Sequence, residues 1–281
     1  MTLAGPTTIA RALATAAGNG LARLDAQLLL LHALGRPGSE RAWLLAHDDA
    51  PLAGAEAAAF ADLVERRLSG EPVAYLLGHK EFRGMTLQVD ARVLVPRPDT
   101  ETLVDWALDC LDGRSGARFL DLGTGSGAIA LALKSARPDL DAHAVDASAD
   151  ALTVARANAA RLGLAVDLRQ ADWLEGAAAG HDLIVSNPPY VAAGDPHLPA
   201  LRHEPLSALA AGADGLDDIR RIVRDAPAHL APGAWLLLEH GHDQAAAVRA
   251  LLAARGFDEV QSRTDLGGIE RCSGGRWPAM K

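Results

Sequence analysis

Residues 119–127 of this chain read Phe-Leu-Asp-Leu-Gly-Thr-Gly-Ser-Gly, an apolar strand pattern that runs directly into a glycine-rich turn. Because glycine has no β-carbon, the backbone can bend sharply at such a turn and approach a ligand closely. A helix pattern follows, from about residue 126 to residue 137. Strand, glycine-rich turn and helix in this order predict a ligand-binding crossover at the carboxyl edge of a parallel sheet.

Alternating strand and helix patterns continue along the rest of the chain, as is typical of a doubly wound, mostly parallel α/β sheet of the Rossmann-like kind. Strands are predicted near residues 117–122, 141–146, 166–170, 181–186, 233–239 and 257–264, with a possible last strand near 269–273. Helices are predicted near residues 99–111, 126–137, 148–162, 215–229 and 242–255. The fold class is therefore predicted as α/β.

A different organisation is predicted for the first part of the chain. Residues 1–75 carry helical patterns and predict a small bundle of four or five short helices. Residues 76–95 contain alternating and β-branched residues, which predict a hairpin that links two domains. Residues 96–281 then form the α/β domain.

Composition excludes several classes of protein. Of the 281 residues, 49% are hydrophobic and 22% charged, and the formal net charge of −9 argues against binding nucleic acid through a basic face. Two cysteines are too few for a disulfide scaffold. Because no apolar stretch is long enough to cross a bilayer and no export signal is evident, we expect a soluble cytoplasmic protein. No metal site is expected, since the histidines and cysteines lack ligand spacing.

Acidic side chains at successive strand ends predict the ligand. Asp121 would repel a pyrophosphate and accept an α-amino group, and Asp146 ends the next strand, where a carboxylate can accept from both hydroxyls of a ribose. Asp172 can accept from an exocyclic amine, and Trp173 offers a face for stacking on adenine. Amino group, ribose and adenine in succession describe S-adenosylmethionine better than NAD. The predicted cofactor-binding residues are Asp121, Gly123, Thr124, Gly125, Ser126, Gly127, Asp146, Asp172, Trp173 and Asn187.

Residues 187–190, which follow the fourth predicted strand, read Asn-Pro-Pro-Tyr. Two successive prolines fix the backbone and remove two amide donors, so that carbonyl oxygens remain as acceptors. The Asn187 side-chain oxygen and the Pro188 carbonyl together make two acceptors suited to a planar NH₂ group, and Tyr190 adds an aromatic wall. The predicted catalytic residues are Asn187, Pro188, Pro189 and Tyr190.

A second segment identifies a family. Residues 93–101 read Val-Leu-Val-Pro-Arg-Pro-Asp-Thr-Glu and resemble the proline-arginine-proline signature of the HemK/PrmC family, the protein-(glutamine-N5) methyltransferases; Asp99 stands where glutamate is commoner. The Asn-Pro-Pro-Tyr turn resembles one that is found widely among amino-group methyltransferases. The resemblance covers essentially the whole chain, and further matches occur at residues 78–82, 204–205, 214–216 and 239–241.

The resemblance implies an activity, a fold and a partner. It implies the class I methyltransferase fold and methyl transfer from S-adenosylmethionine to the side-chain nitrogen of the glutamine in the Gly-Gly-Gln loop of class-one peptide chain release factors. The helical N-terminal part resembles the domain with which these enzymes hold the release factor. Neither DNA nor a membrane is expected as a partner, and the chain is expected to be a monomer. The predicted substrate-binding residues are Arg97, Asn187, Pro188, Pro189 and Tyr190.

Some alternatives stay open at this stage. Arg97 either lines the substrate pocket or forms an ion pair that only holds its loop. The same Asn-Pro-Pro-Tyr chemistry suits a glutamine methyltransferase that acts on a ribosomal protein. It also suits a DNA adenine N6-methyltransferase, although no target-recognition domain or basic stripe is evident. A protein that binds the cofactor or a partner without catalysis would leave the Asn-Pro-Pro-Tyr turn idle.

Overall fold

The structure, a computed structural model, describes residues 7–279 and divides into two compact units, with the boundary after residue 78. The hairpin that was expected to link two domains groups with the second unit. Domain limits at residues 75 and 95 stay a prediction. Within the described residues, no helix is both long and apolar enough to cross a membrane.

The first unit is helical, as the sequence predicts. Its apolar side chains form a core of their own, in which Leu29, Leu30 and Leu31 are fully buried. The spacing of Phe60, Leu63 and Val64 places all three on one face of the longest helix, and all three are buried. The helices are α1 (Ile9–Gly18), α2 (Arg23–Ala33), α3 (Arg41–Ala46), α4 (Gly54–Leu68) and α5 (Val73–Leu77).

The second unit contains a hairpin followed by alternating helices and strands. Its helices are α6 (Thr100–Cys110), α7 (Ala128–Ala136), α8 (Ala149–Leu162), α9 (Asp217–Asp225) and α10 (Ala245–Arg255). Its strands are β1 (His79–Phe82), β2 (Met85–Gln88), β3 (Arg118–Leu122), β4 (Asp141–Asp146), β5 (Asp167–Gln170), β6 (His181–Ser186), β7 (Leu230–Glu239), β8 (Asp258–Thr264) and β9 (Glu270–Arg276).

Seven strands form one sheet in the order β5-β4-β3-β6-β7-β9-β8. The strands from β5 to β7 in this order run parallel, and β9 runs antiparallel to both of its neighbours. This arrangement confirms the predicted doubly wound, mostly parallel α/β class. The strand order reverses at β3, which pairs with β4 on one side and β6 on the other, and ligands bind at the carboxyl ends of strands around such a switch point.

Two predicted elements are shorter than expected. The hairpin turns at Arg83-Gly84 and ends at Gln88, because the Asp90 carboxylate accepts from Arg92 N at 3.0 Å and bends the chain locally. The helix predicted over 215–229 ends as α9 at Asp225, and residues 226–228 form a 3₁₀ turn. Pro227 lies in that turn and has no N–H to donate to a continuing α-helix.

Candidate active site

The carboxyl ends of β3, β4 and β6 are tied together by hydrogen bonds. Ser186 Oγ, at the end of β6, donates to the Leu122 carbonyl at 2.7 Å. In the glycine-rich turn, Thr124 N donates to the Val145 carbonyl of β4 at 2.9 Å. The turn after β3 is therefore fixed between the ends of its two neighbours, and residues 187–190 begin beside it.

A cavity of about 290 Å³ opens at this edge of the sheet. Most of the predicted site residues line it, and these are Arg97, Gly123, Thr124, Gly125, Ser126, Asp146, Asp172, Trp173, Asn187 and Pro189. Asp121, Gly127, Pro188 and Tyr190 lie outside the lining, and Pro188 is buried. The structure thus gathers residues from four strand ends around one cavity.

The Asp146 carboxylate is held in place at the wall of the cavity. Its Oδ2 atom accepts from Gly125 N at 2.8 Å, and its Oδ1 atom accepts from Ser148 N at 2.9 Å. Burial raises the pKa of this carboxyl, against the effect of the two amide donors. Each oxygen keeps a further lone pair for a ligand, so the contact with ribose hydroxyls stays a prediction that this geometry allows.

Trp173 packs closely against the first glycine of the turn. A β-carbon added at Gly123 would lie 3.2 Å from the indole ring, and both residues have a positive φ, +68° and +53°. The indole Nε1 atom donates to Asp218 at 3.1 Å, which fixes the plane of the ring at the cavity. A glycine at residue 123 is therefore needed for this approach, and stacking on adenine stays a prediction.

Asp172 forms an ion pair within the chain that the sequence did not predict. Its two oxygens accept from Arg221 Nη1 at 3.0 Å and Nη2 at 2.7 Å, in a bidentate ion pair with α9. Since Asp218 and Arg221 also line the cavity, three charged groups lie at the end where adenine is predicted. The contact of Asp172 with an exocyclic amine stays a prediction.

Asp121 is fully buried at the base of the glycine-rich turn. Its Oδ2 atom accepts from Thr124 Oγ1 at 2.7 Å and from Ala130 N at 3.2 Å, so the carboxyl joins the turn to the first residues of α7. Burial raises the pKa of Asp121 to about 7. Its Oδ1 atom has no hydrogen-bond partner within residues 7–279. Contact with an α-amino group stays a prediction.

The nitrogen and the oxygen of the Asn187 side-chain amide differ in their hydrogen bonding. Asn187 Nδ2 donates to Thr100 Oγ1, at the start of α6, at 3.2 Å. The Oδ1 atom is buried and has no partner among the described residues, although Asn187 itself lines the cavity. A residue that lines the cavity therefore carries an acceptor without a protein partner, and its use by substrate N–H groups stays a prediction.

Tyr190 and Glu239 form a buried pair behind the turn. Tyr190 Oη lies 3.4 Å from Glu239 Oε1, and Glu239, the last residue of β7, is only 1% exposed. Burial, together with the Asp99 carboxyl, raises the pKa of Glu239 to about 7, and the hydroxyl groups of Thr100 and Tyr190 oppose the increase. The second oxygen, Oε2, has no hydrogen-bond partner within residues 7–279. Burial also raises the pKa of the Tyr190 hydroxyl, which therefore stays protonated and acts as a donor.

Glu239 makes the stability of the folded protein depend on pH. Its pKa rises from an ordinary value of 4.5 to about 7 on folding, so the stability that its raised pKa confers is fully present below pH 4.5. That stability is lost as the pH rises to about 7, because the unfolded chain releases the proton first. The neutral Glu239→Gln variant lacks this effect.

We therefore expect the free energy of unfolding of Glu239→Gln to rise relative to that of the unmodified protein by about 3 kcal/mol between pH 4 and pH 8. Denaturant unfolding of both proteins at a series of pH values measures this difference. Curves that stay parallel across this range would show that the carboxyl does not titrate with a raised pKa.

Arg97 lines the cavity and also forms an ion pair, so its contact with a substrate stays a prediction. The Arg97 guanidinium lines the cavity and forms an ion pair with the Glu204 carboxylate, which is 3% exposed. The second oxygen of Glu204 accepts from Val95 N at 3.1 Å. One buried carboxylate thus fastens the proline-arginine-proline segment to the chain that follows the Asn-Pro-Pro-Tyr turn, with Pro205 also at the cavity.

Several residues of the site were not given a role on sequence alone. Thr100 and Glu204 lie in segments that match the family pattern, which was the only available signal for them. Asp218 and Arg221 lie in an amphipathic helix whose charged face looks like an ordinary solvated surface. Their place at the cavity follows from the packing of α9, which no local pattern predicts.

Hydrogen-bond acceptors line the cavity beside its arginine side chains. Asn187, Asp146 and Asp218 are among the lining residues, and Asn187 Oδ1 has no hydrogen-bond partner among the described residues. Among residues 7–279, no three His, Cys, Asp or Glu side chains gather into a group that could hold a metal ion. The arrangement is suited to binding a ligand that is rich in N–H and O–H donors.

Comparison with known proteins gives matches to both units. The family model described as the PrmC N-terminal domain matches residues 8–78, and the one described as the methyltransferase small domain matches residues 101–203. A crystal structure of a methyltransferase from Pyrococcus furiosus superposes with a TM-score of 0.55 at 18% identity, covering 78% of this chain and 99% of that one. This last likeness concerns the fold alone.

Relatives named as release factor glutamine methyltransferases match over nearly their full length. The release factor glutamine methyltransferase of Bordetella pertussis is 53% identical over 260 residues, which cover 91% of this chain and 95% of that protein. The protein of the same name from Xylella fastidiosa is 50% identical over 273 residues, which cover 96% of this chain and 98% of that protein.

Proposed function

This chain belongs to the release factor glutamine methyltransferase family, and we propose that it methylates the side-chain nitrogen of the glutamine in the Gly-Gly-Gln motif of class-one peptide chain release factors. The observation that carries the proposal is Asn187 Oδ1, a buried acceptor on a residue that lines the cavity, without a hydrogen-bond partner in the described part of the chain. A planar NH₂ group is the donor that such an acceptor, next to a proline carbonyl, is suited to bind.

S-adenosylmethionine is the proposed methyl donor, and when bound it supplies an electrophilic methyl group on a positively charged sulfur. The residues present fit it. Asp146 presents acceptor lone pairs beside the glycine-rich turn, and Trp173 presents an aromatic ring beside Gly123. The backbone of residues 123–126 lines the space between them.

The residues of the Asn-Pro-Pro-Tyr turn have to activate a poor nucleophile. An amide nitrogen has its lone pair delocalised into the carbonyl group, and no side chain of ordinary pKa removes its proton beforehand. Asn187 Oδ1 and the Pro188 carbonyl accept the two N–H groups and so aim the nitrogen. They would also stabilise the positive charge that develops on the nitrogen as it takes the methyl group, whose bond to the donor sulfur breaks and leaves its electron pair on that sulfur. Afterwards the nitrogen releases one proton to water.

The helical unit is proposed to hold the release factor. Support comes from the match of residues 8–78 to the family model of the PrmC N-terminal domain. This unit also has a cavity of its own, of about 630 Å³, lined mainly by apolar side chains of α1 and α4. The chain is proposed to act as a cytoplasmic monomer, because its acceptor is a protein of translation termination and one chain supplies every residue of the site described above.

Two other acceptors would suit the same turn. A glutamine in a ribosomal protein and the adenine amino group of DNA both present an NH₂ to Asn187. The net charge of −9 disfavours DNA, because binding a duplex depends on basic residues that neutralise its phosphates. The relatives at 53% and 50% identity carry the release factor name, which favours that acceptor over a ribosomal protein.

The proposal is tested by offering the purified chain S-adenosylmethionine with a labelled methyl group, together with each acceptor separately. We expect label on a class-one release factor and none on ribosomal proteins or adenine-containing DNA. A release factor with alanine in place of its Gly-Gly-Gln glutamine is the matched control and should stay unlabelled. Label on DNA or on a ribosomal protein, without label on the release factor, would overturn the proposal.

A further inference from the structure

The side-chain amide of Gln244 joins three stretches of chain behind the Asn-Pro-Pro-Tyr turn. Gln244 Nε2 donates to the Tyr190 carbonyl at 3.0 Å and to the Asp214 carbonyl at 3.2 Å. Gln244 Oε1 accepts from Gly241 N at 2.8 Å. One amide group therefore connects the last residue of the turn to the chain before α9 and to the chain after β7.

The orientation of the Gln244 amide is fixed by its three partners, which are all backbone groups. A backbone N–H can only donate and a backbone carbonyl can only accept. The amide oxygen must therefore face Gly241, and the NH₂ group must face Tyr190 and Asp214. A half-turn of the amide would place its oxygen against two carbonyl oxygens and its NH₂ group against an N–H, so all three hydrogen bonds would be lost together.

Gln244 is itself held in place at the start of a helix. It directly precedes α10, its N–H donates to the Gly241 carbonyl at 3.1 Å, and its carbonyl accepts from Val248 N at 3.0 Å. Ala245 and Val248, in the first turns of α10, are buried. The side-chain amide therefore reaches the Asn-Pro-Pro-Tyr turn from a fixed position.

The Asn-Pro-Pro-Tyr turn is tied to the rest of the structure at its two ends. Its start follows Ser186, whose Oγ atom donates to the carboxyl end of β3, and its two prolines have no N–H to donate. After the turn, Val191 N donates to the Leu209 carbonyl at 2.8 Å. Between these points, the Tyr190 carbonyl is held by Gln244. The amide is therefore placed to set where the end of the turn lies.

The bond to Asp214 attaches the same amide to the chain that leads to the other end of the cavity. Helix α9 begins three residues after Asp214, and its Asp218 and Arg221 line the cavity. Residues 187 and 189 line the cavity from the turn. Gln244 is not among the described residues that line it, so it contacts the backbone behind the site and not the space inside it.

We propose that Gln244 is a positioning residue for methyl transfer. Through the Tyr190 carbonyl, it holds the Asn-Pro-Pro-Tyr turn so that Asn187 and the Pro188 carbonyl keep the spacing that a planar NH₂ group needs. This inference rests on the proposed function, because it concerns how the turn receives the acceptor nitrogen. Gln244 itself touches neither the acceptor nor the methyl donor.

Two substitutions at Gln244 separate its hydrogen bonds from the space that its side chain fills. Gln244→Ala removes all three bonds of the amide. Gln244→Glu keeps the shape of the side chain, but an ionised carboxylate has no proton to donate to the carbonyls of Tyr190 and Asp214. Gln261→Ala and Gln261→Glu are the matched controls, because Gln261 lies exposed on β8.

We expect both Gln244 variants to lower kcat about 10-fold at pH 8, because a small displacement of the turn misdirects the acceptor nitrogen. Both Gln261 variants should keep the kcat of the unmodified protein. The affinity for S-adenosylmethionine, measured by calorimetric titration, should change much less than kcat in the Gln244 variants. The reason is that α9 is also held at the cavity by its hydrogen bonds with Trp173 and Asp172.

The pH dependence of kcat gives a readout that a merely structural role would not change. When the carboxyl introduced by Gln244→Glu takes up a proton, it regains one O–H donor for the Tyr190 carbonyl and keeps an oxygen for Gly241 N. The kcat of this variant, relative to that of the unmodified protein at the same pH, should therefore rise about twofold or more between pH 8 and pH 5. The relative kcat of Gln244→Ala should stay constant, which controls for the neighbouring side chains of Asp214, His242 and Asp243.

A merely structural role would give a different pattern. If Gln244 only stabilises the fold, its variants would have a lower free energy of unfolding but an unchanged kcat at a temperature where all the variants are folded. That result would overturn the proposal. A relative kcat of Gln244→Glu that is as independent of pH as that of Gln244→Ala would overturn it as well.

A further readout does not depend on methyl transfer. In the protein without cofactor, the backbone N–H of Val191 should exchange with solvent faster in both Gln244 variants than in the unmodified protein or the Gln261 variants, as measured by NMR. If this pattern appears while release factor stays unlabelled, the proposed acceptor is wrong and the positioning stands. If release factor is labelled and the exchange rates are equal, the positioning inference is wrong and the proposed function stands.

Discussion

Asn187→Ala is expected to lower the kcat of release factor methylation by about 100- to 1,000-fold, the loss typical of removing one preorganised hydrogen-bonding group from an active site. The Asn187 oxygen is a buried atom that forms no hydrogen bond with any other described group, on a residue that lines the cavity. Alanine leaves the Pro188 carbonyl as the remaining acceptor of the pair. The substrate nitrogen is then held at one N–H instead of two, and it loses both aim and charge stabilisation.

The affinity for S-adenosylmethionine should change far less than kcat in this variant. The other proposed contacts of the cofactor lie on the turn after β3 and at the ends of β4 and β5, which Asn187→Ala does not touch. Calorimetric titration with S-adenosylmethionine and steady-state methylation of a release factor measure the two quantities separately. An equal loss of cofactor affinity and kcat would contradict this division of labour.

The parts of the site that were predictable are those determined by a local pattern. The strand before residue 123 was predicted at 117–122 and is observed at 118–122. A short apolar run followed by glycines is typical of a buried strand that ends in a tight turn. Asp146 ends a predicted strand, and Asn187 follows another directly. Because the carboxyl ends of parallel strands meet at one edge of the sheet, their convergence on one cavity followed from the fold class.

The parts that were not predictable depend on partners far away in the sequence. Thr100 lies 87 residues from Asn187, and Arg221 lies 49 residues from Asp172. A hydrogen bond across such a distance depends on how α6 and α9 pack on the sheet, which residue spacing does not reveal. The direction of the Asp121 side chain is a similar case, because a carboxylate at a strand end can face the cavity or, as here, the turn that follows.

Gly215 explains a family match to which the sequence alone assigned no role. It lies just before α9 with a φ of +73°, and a β-carbon there would be 2.1 Å from the Tyr190 carbonyl oxygen. That oxygen also accepts from Gln244 Nε2 at 3.0 Å. Gly215 is therefore required both by its backbone conformation and by the close approach of the Asn-Pro-Pro-Tyr turn.

Gly215→Ala is accordingly expected to lower the free energy of unfolding by about 2 to 5 kcal/mol, the sum of left-handed strain and overpacking. Gly176→Ala is the matched control, because Gly176 has a similar φ of +68° but open space where the β-carbon would lie. The free energy of unfolding of Gly176→Ala should fall by only about 1 to 2 kcal/mol, the cost of a left-handed conformation for alanine. Denaturant unfolding compares the two variants directly.

At a temperature where both variants are folded, the kcat of Gly215→Ala should also be lower, because the added methyl group can fit only if the Tyr190 carbonyl moves. Equal stability losses in the two variants would show that Gly215 and Tyr190 are not in close contact.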